Sequence, residues 1–180
     1  MDLTLSAAQE RARADARAFA SAVPPDARPE RVVASAADAG LLWPDDLLAA
    51  VLVVDAVSWE RPAHAVTLAV QMAVAHAVPG DDALRRGARL GAMALSSDGL
   101  PTVSDGRITG KASWAGPLGG REGLVLVGAH DGGHLSACAV ALSAAGVHVE
   151  PLATAALAGF RCGHLHLDGA ACTLLGSPTP

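Results

Sequence analysis

Three side chains that can bind a metal ion alternate near the end of the chain, at Cys162, His164 and His166. If this segment is a β-strand, the alternation places all three on one face of the sheet. A thiolate and two imidazoles suit zinc, and His134 or His148 could add the further ligand that a zinc site needs. A half-exposed strand that carries histidines on its polar face has the same pattern, and we favour that explanation. We therefore predict no metal site.

The other residues that could do chemistry do not form a recognisable catalytic pattern. His64 and His76 are expected about three turns apart on one helix, so they cannot share a ligand and should occupy ordinary helix positions. The chain has no GxSxG motif, and no Ser-His-Asp arrangement can be assigned. Trp43 and Trp59 are expected to pack within a helical layer. Trp114 fits a core position and the wall of a ligand site equally well. No residue is assigned a catalytic role.

Glycine divides the chain into two parts. Sixteen of the 19 glycines follow residue 90, and glycine is costly within helices but useful in turns. We therefore predict a helical domain at 1–91 and a β-domain at 92–180, an α+β fold. Capping residues, prolines and apolar periodicity predict helices at 7–22, 29–39, 44–59, 62–78 and 81–91. Runs between turn residues predict a small antiparallel β-barrel or sandwich with strands at 92–96, 107–113, 124–129, 135–142, 148–152 and 163–168.

The composition indicates a protein that associates with another chain. Charged residues make up 17% of the 180 residues, below the average of roughly 25% for soluble domains. Hydrophobic residues make up 51%, so we expect an oligomer that buries part of this surface. The net charge of -5 gives no basic surface for nucleic acid, and charges interrupt the apolar run at 47–78, which argues against a membrane span. Three cysteines without CxxC spacing indicate reduced thiols in the cytoplasm.

A series of motifs resembles the first two domains of acyl-CoA dehydrogenases, a helical domain followed by a β-domain. The helical part carries matches at 5–9 (LSAAQ) and 39–42 (AGLL). The β part carries matches at 91–96 (GAMALS), 105–114 (DGRITGKASW), 146–152 (GVHVEPL), 157–161 (LAGFR), 165–170 (LHLDGA) and 174–176 (LLG). The order and spacing of these motifs are more specific than any one of them. In the family a C-terminal helical bundle follows, which we expect this chain to lack.

The resemblance implies an FAD site at the end of the first strand and after the tryptophan. In the family, backbone and hydroxyl groups at these places hold the flavin, and they correspond here to Leu95, Ser96, Trp114, Ala115 and Gly116. An indole suits the apolar face of a flavin, and backbone donors suit its polar edge. These five are the predicted cofactor-binding residues.

Several departures from the family pattern bear on that site. The family's acidic loop after the first strand is reduced to 96–99 (SSDG). Gly116 stands where the family has a hydroxyl residue, and Pro117, which has no N–H, stands where it has an asparagine. The catalytic glutamate of the family belongs to its C-terminal bundle, and no motif in this chain replaces it. FAD binding by the isolated chain is therefore expected to be weak or absent.

These expectations leave three functions open. The first is a truncated acyl-CoA dehydrogenase-like subunit or derivative of a flavin-dependent acyl-thioester oxidoreductase, with little or no independent activity. Its catalytic base would come from a partner chain that carries the helical bundle. The chain itself is expected to associate with a second copy or with a second dehydrogenase-like subunit. The second is a flavin-free member that binds a small molecule and catalyses a non-redox step such as a cyclisation. The third is a non-catalytic pseudoenzyme.

Overall fold

The computed structural model describes residues 4–44, 46–95, 99–153 and 159–176. Helices come first, at α1 Ala7–Ala22, α2 Pro29–Asp38, α3 Leu47–Ser58, α4 Pro62–Ala77 and α5 Asp82–Arg85. Strands follow, at β1 Gly91–Ala94, β2 Thr102–Ser104, β3 Arg107–Gly116, β4 Leu124–Asp131, β5 His134–Ala141, β6 Val147–Leu152, β7 Cys162–Ala171 and β8 Thr173–Leu175. The predicted α+β class, with helices before strands, is confirmed.

Local capping chemistry explains where the helices begin. Ser6 and Gln9 form a capping box at the start of α1, each side chain bonding the backbone N–H of the other. Asp46 caps α3 by accepting a hydrogen bond of 2.7 Å from the backbone N–H of Ala49. Pro29 and Pro62 occupy the first turns of α2 and α4, where their missing N–H costs nothing.

The fifth helix is much shorter than the predicted span of 81–91. It ends at Arg85 because Gly87 takes a left-handed conformation, with φ of +69°. A Cβ at Gly87 would lie 2.9 Å from the Cβ of Ala37 on α2. The chain therefore turns there to pack closely against the second helix, which the sequence pattern did not reveal.

The strands form one eight-stranded sheet in the order β6-β7-β3-β1-β4-β5-β8, with β2 pairing both β3 and β4. Most neighbours are antiparallel, as predicted, but β1–β4 and β2–β4 are parallel. In the described part of the chain, β6 and β8 each pair with a single strand. Strands β2 and β8 have only three residues each, too few to show alternation, and they do not follow from the sequence pattern.

Two buried layers give the molecule its core. The helical layer buries residues such as Phe19, Val32 and Leu68, and the sheet buries Ile108 and Leu165. No helix in the described ranges is long and apolar enough to cross a membrane.

Gln71 joins the helical layer to the sheet. This side chain is fully buried in α4, and its Nε2 donates to the carbonyls of Leu84 and Arg89 at 2.8 and 3.0 Å. Its Oε1 accepts a 2.7 Å hydrogen bond from the backbone N–H of Gly91, the first residue of β1. A Cβ at Gly91 would lie 2.8 Å from the Cβ of Val74. The position of β1 relative to α4 is therefore fixed by a satisfied buried amide and by close packing.

Candidate functional site

Trp114 is held in a backbone conformation that bulky residues rarely adopt. Its φ is +54°, in the left-handed region, where a non-glycine residue is strained by about 1–3 kcal/mol. The pairing of β3 with β7 shifts register between Ala112 and Ala115, so a bulge surrounds Trp114. The indole is 53% exposed. The bulge therefore turns a large aromatic ring outward, and Trp114 lies at the surface rather than in the core.

The end of β1 lies beside Trp114. Met93 pairs with Gly116 and Ala94 pairs with Ala115 across the two strands. Leu95, which follows directly, is 67% exposed. The sheet thus brings four of the predicted cofactor-binding residues together, beside the end of β1 and the end of β3. We call this place the flavin edge. The fifth, Ser96, lies outside the described residues, and the cofactor-binding role of all five stays a prediction.

Ala115 and Gly116 offer backbone groups only. Ala115 is completely buried. At Gly116 a Cβ would lie 2.8 Å from both Cε1 and Cζ of Phe160, and 3.3 Å from the Cβ of Cys162. The ring of Phe160 therefore fills the space that a hydroxyl side chain at position 116 would need. This explains in structural terms why glycine stands there.

A polar stripe continues from Trp114 across the outer face of β7 and β6. The ring of His164 meets the indole of Trp114 edge to face, with centroids 6.1 Å apart. Next along the stripe, His166 Nε2 lies 2.8 Å from Glu150 Oε2, and Lys111 Nζ lies 3.8 Å from the same oxygen. The hydrogen bond from His166 lowers the pKa of Glu150 below its usual range, and the Lys111 ammonium acts in the same direction.

The three alternating residues of the first sequence pattern do not share one environment. His166 is exposed, His164 is partly buried against Trp114, and Cys162 is buried. Within the described ranges, no group of three or more histidine, cysteine or acidic side chains could hold a metal ion. The stripe therefore offers an imidazole–carboxylate pair beside an aromatic ring, rather than a ligand cage.

The remaining sequence candidates have structural roles or none. His64 is buried, and its Nε2 lies 2.9 Å from the carbonyl oxygen of Pro24, which ties α4 to the α1–α2 loop. Trp43 donates its indole N–H to the carbonyl of Arg85 and stacks under that guanidinium. Trp59, predicted to pack in the helical layer, is 81% exposed. It follows the last residue of α3, so its side chain lies beyond the packed part of the helix.

An apolar groove of about 820 Å³ runs between α3 and α4. Leu47 and Val51 line it from α3, and Met72 lines it from α4. Leu47 is 81% exposed, and Val51 and the neighbouring Leu48 are about half exposed. Exposed apolar surface of this kind is typical of places where protein chains associate. The ionisable residues Asp46, Asp55 and His76 line the groove.

No family model matches the chain, and no curated protein matches it. Its fold is nevertheless similar to solved structures. An acyl-CoA dehydrogenase complexed with FAD from Bacillus anthracis has a TM-score of 0.80 and 19% identity, over 96% of this chain and 38% of that one. A glutaryl-CoA dehydrogenase from Mycobacterium smegmatis has a TM-score of 0.79 and 16% identity, over 96% of this chain and 55% of that one.

A third similar structure is the ChsE4-ChsE5 complex from Mycobacterium tuberculosis, with a TM-score of 0.76 and 21% identity, over 95% of this chain and 56% of that one. The chain thus spans between 38% and 56% of the length of these three structures. At these identities the similarity shows the fold alone. The chain has the fold of the N-terminal helical domain and the middle β-domain of acyl-CoA dehydrogenases, as its motifs predict.

Proposed function

We propose that this chain supplies the helical and β layers of a flavin site for acyl-thioester oxidation, a site completed by helices from a partner. The observation that carries the proposal is the strained, exposed indole of Trp114 beside the end of β1. Strain of this kind persists where the surrounding structure enforces it, and functional sites are where it concentrates. The fold shared with an acyl-CoA dehydrogenase complexed with FAD supports the choice of ligand.

The residues at this edge fit part of a flavin. The indole of Trp114 suits an apolar ring face, and the backbone of the exposed Leu95 can meet a polar edge, whereas Ala115 and Gly116 are buried. When bound, the flavin supplies hydride acceptance. The fit fails at Gly116, which has no hydroxyl and has the ring of Phe160 against it. FAD binding by this chain therefore rests on stacking and backbone contacts, and we expect it to be weak.

The groove between α3 and α4 supports the partner in this proposal. Leu47, Leu48 and Val51 expose an apolar surface that an apolar helix can cover. The partner is a second dehydrogenase-like chain or a second copy of this one. Light scattering after size-exclusion chromatography tests whether the chain associates with a second copy. Val51→Asp should prevent association, because it buries an unpaired charge, while Val149→Asp on β6 should not.

A second candidate function is a flavin-free site that catalyses a non-redox step. Its support is the ring of Phe160 against Gly116, which removes the position of the family's hydroxyl. The pair of His166 and Glu150 could then serve proton transfer near Trp114. A non-catalytic pseudoenzyme is the third candidate.

Equilibrium dialysis against FAD tests the proposed function. We expect weak binding by the chain, lowered at least about fivefold by Trp114→Ala, since stacking on an aromatic side chain contributes about 1–3 kcal/mol. Trp59→Ala is the matched control, because Trp59 is an exposed tryptophan at the end of α3. Equal losses in the two variants would contradict the proposal, and no binding by the wild-type chain at any accessible concentration would favour the flavin-free alternative.

A further inference from the structure

A second cleft lies at the seam between the helical layer and the sheet. Its helical side is the α1–α2 loop at 25–27, and its sheet side is formed by β6, residues 159–162 and the segment after β3. We call it the seam cleft. Its volume is about 770 Å³, within the range of roughly 300–1,000 Å³ that small-molecule sites have.

The walls of the seam cleft are largely apolar. Leu118, Leu152 and Phe160 line it, together with Val149 and Pro151 of β6. Leu118 is buried, whereas the other four are partly or largely exposed in the cleft. Apolar side chains that face a concave space in this way gain from contact with an apolar ligand.

Two charged side chains of opposite sign line the seam cleft from opposite layers. Arg161 comes from the sheet side and Asp26 from the α1–α2 loop. Neither side chain forms a hydrogen bond or ion pair with any residue in the described ranges. The backbone carbonyl of Arg161 accepts a 2.7 Å hydrogen bond from the N–H of Leu118, which fixes the backbone that carries the guanidinium. Arg161 is thus an anchored cation whose donors are not used by any residue that the structure describes.

We propose that the seam cleft binds an amphiphilic organic anion, with its apolar part against Leu118, Leu152 and Phe160 and its anionic group on Arg161. A guanidinium offers paired donors that match a carboxylate or phosphate. The carboxylate of Asp26, which repels an anionic group, lies on the helical side of the cleft. An anionic group bound to the guanidinium of Arg161 therefore has the cleft between itself and that carboxylate. This site is separate from the proposed flavin edge and does not depend on it.

The seam cleft and the flavin edge nevertheless share one side chain. Phe160 lines the cleft and also packs against Gly116, the last residue of β3. A ligand that displaces Phe160 therefore changes the packing at Gly116. Binding in the cleft should alter the signals of residues near Trp114 without contact between ligand and indole.

Calorimetric titration with three probes of equal chain length tests this assignment. Octanoate carries an anionic group, octanol a neutral one and octylammonium a cationic one. We expect octanoate to bind tightest, and Arg161→Gln to weaken octanoate about tenfold while leaving octanol unchanged. Arg17→Gln, a loss of the same charge from the exposed face of α1, should change neither. Asp26→Asn should leave octanoate binding equal or stronger, because it removes a like charge.

A filled cleft gives an independent check. Leu152→Trp places a larger ring in the seam cleft and should abolish octanoate binding while the circular dichroism spectrum stays that of the folded chain. Octylammonium binding tighter than octanoate, an Arg161→Gln variant that binds like the wild type, or no binding of any probe would each overturn the assignment. Trp114→Ala should leave octanoate binding unchanged, which separates this result from the FAD experiment.

Discussion

The ring of Phe160 packs so closely on Gly116 that a Cβ built at the glycine would lie 2.8 Å from two ring carbons. The contact joins the end of β3 to the residues that precede β7. It sets the shape of the predicted flavin edge, because the side chain missing at position 116 is replaced by a ring that comes from a distant part of the sequence.

The first prediction concerns this contact. Gly116→Ser should destabilise the chain by about 1–3 kcal/mol, because the new side chain overlaps a packed ring. In a Phe160→Ala background the same substitution should cost less, since the space is open. A double-mutant cycle measured by urea unfolding should therefore give a coupling energy of about 1 kcal/mol or more. Strictly additive effects would show that the two residues do not share that space.

The second prediction concerns the strain at Trp114. Asparagine tolerates the left-handed conformation better than tryptophan. Trp114→Asn should therefore leave the free energy of unfolding within about 1 kcal/mol of the wild-type value, despite the loss of a large ring. Trp43→Ala should cost more, because it removes a hydrogen bond and a cation–π contact. If Trp114→Asn proves the more damaging of the two, the indole has a structural role and the functional interpretation loses its support.

The third prediction concerns Gln71. Gln71→Leu removes both donors and the acceptor that hold Leu84, Arg89 and Gly91. It leaves buried backbone groups unpaired, so we expect a loss of about 3 kcal/mol or more in the free energy of unfolding. Gln9→Leu, at the exposed start of α1, should cost about 1 kcal/mol. Similar losses for the two glutamines would contradict the role of Gln71 as the joint between the layers.

The fourth prediction concerns acid. The hydrogen bond from His166 holds the pKa of Glu150 below its usual value. A carboxyl whose pKa is depressed in the folded state contributes stability above its unfolded pKa, and that contribution is lost as pH falls through the folded pKa. Glu150→Gln should therefore be less stable than the wild type at neutral pH, with the difference vanishing in strong acid. Unfolding curves of both proteins from neutral pH to strong acid check this prediction. A stability difference between them that grows in acid would show that the pKa of Glu150 is not lowered in the folded state.

Local signals made the order of the elements predictable. Ser6, Pro29 and Pro62 mark helix starts through interactions within one turn, so the sequence is sufficient to place α1, α2 and α4. The boundary between a helical and a β-domain at residue 91 stays a prediction, although β1 begins at Gly91.

The parts that escaped prediction depend on contacts between distant residues. The early end of α5 follows from packing of Gly87 against α2, and the contact of Phe160 with Gly116 joins segments that do not neighbour each other in sequence. Gln71 carried a usable signal, since it is the one amide within the apolar run of α4. The orientation of Trp114 does not follow from the sequence, because a bulge, which alternation alone does not reveal, turns the side chain outward.

The measurement that bears most directly on the flavin edge is an amide and indole NMR spectrum of the labelled chain during titration with FAD, which detects even weak binding. We predict shifts at the backbone amides of Leu95, Ala115 and Gly116 and at the indole N–H of Trp114, with the indole of Trp59 unmoved. Shifts confined to the helical layer, or none at the highest soluble FAD concentration, would contradict this prediction.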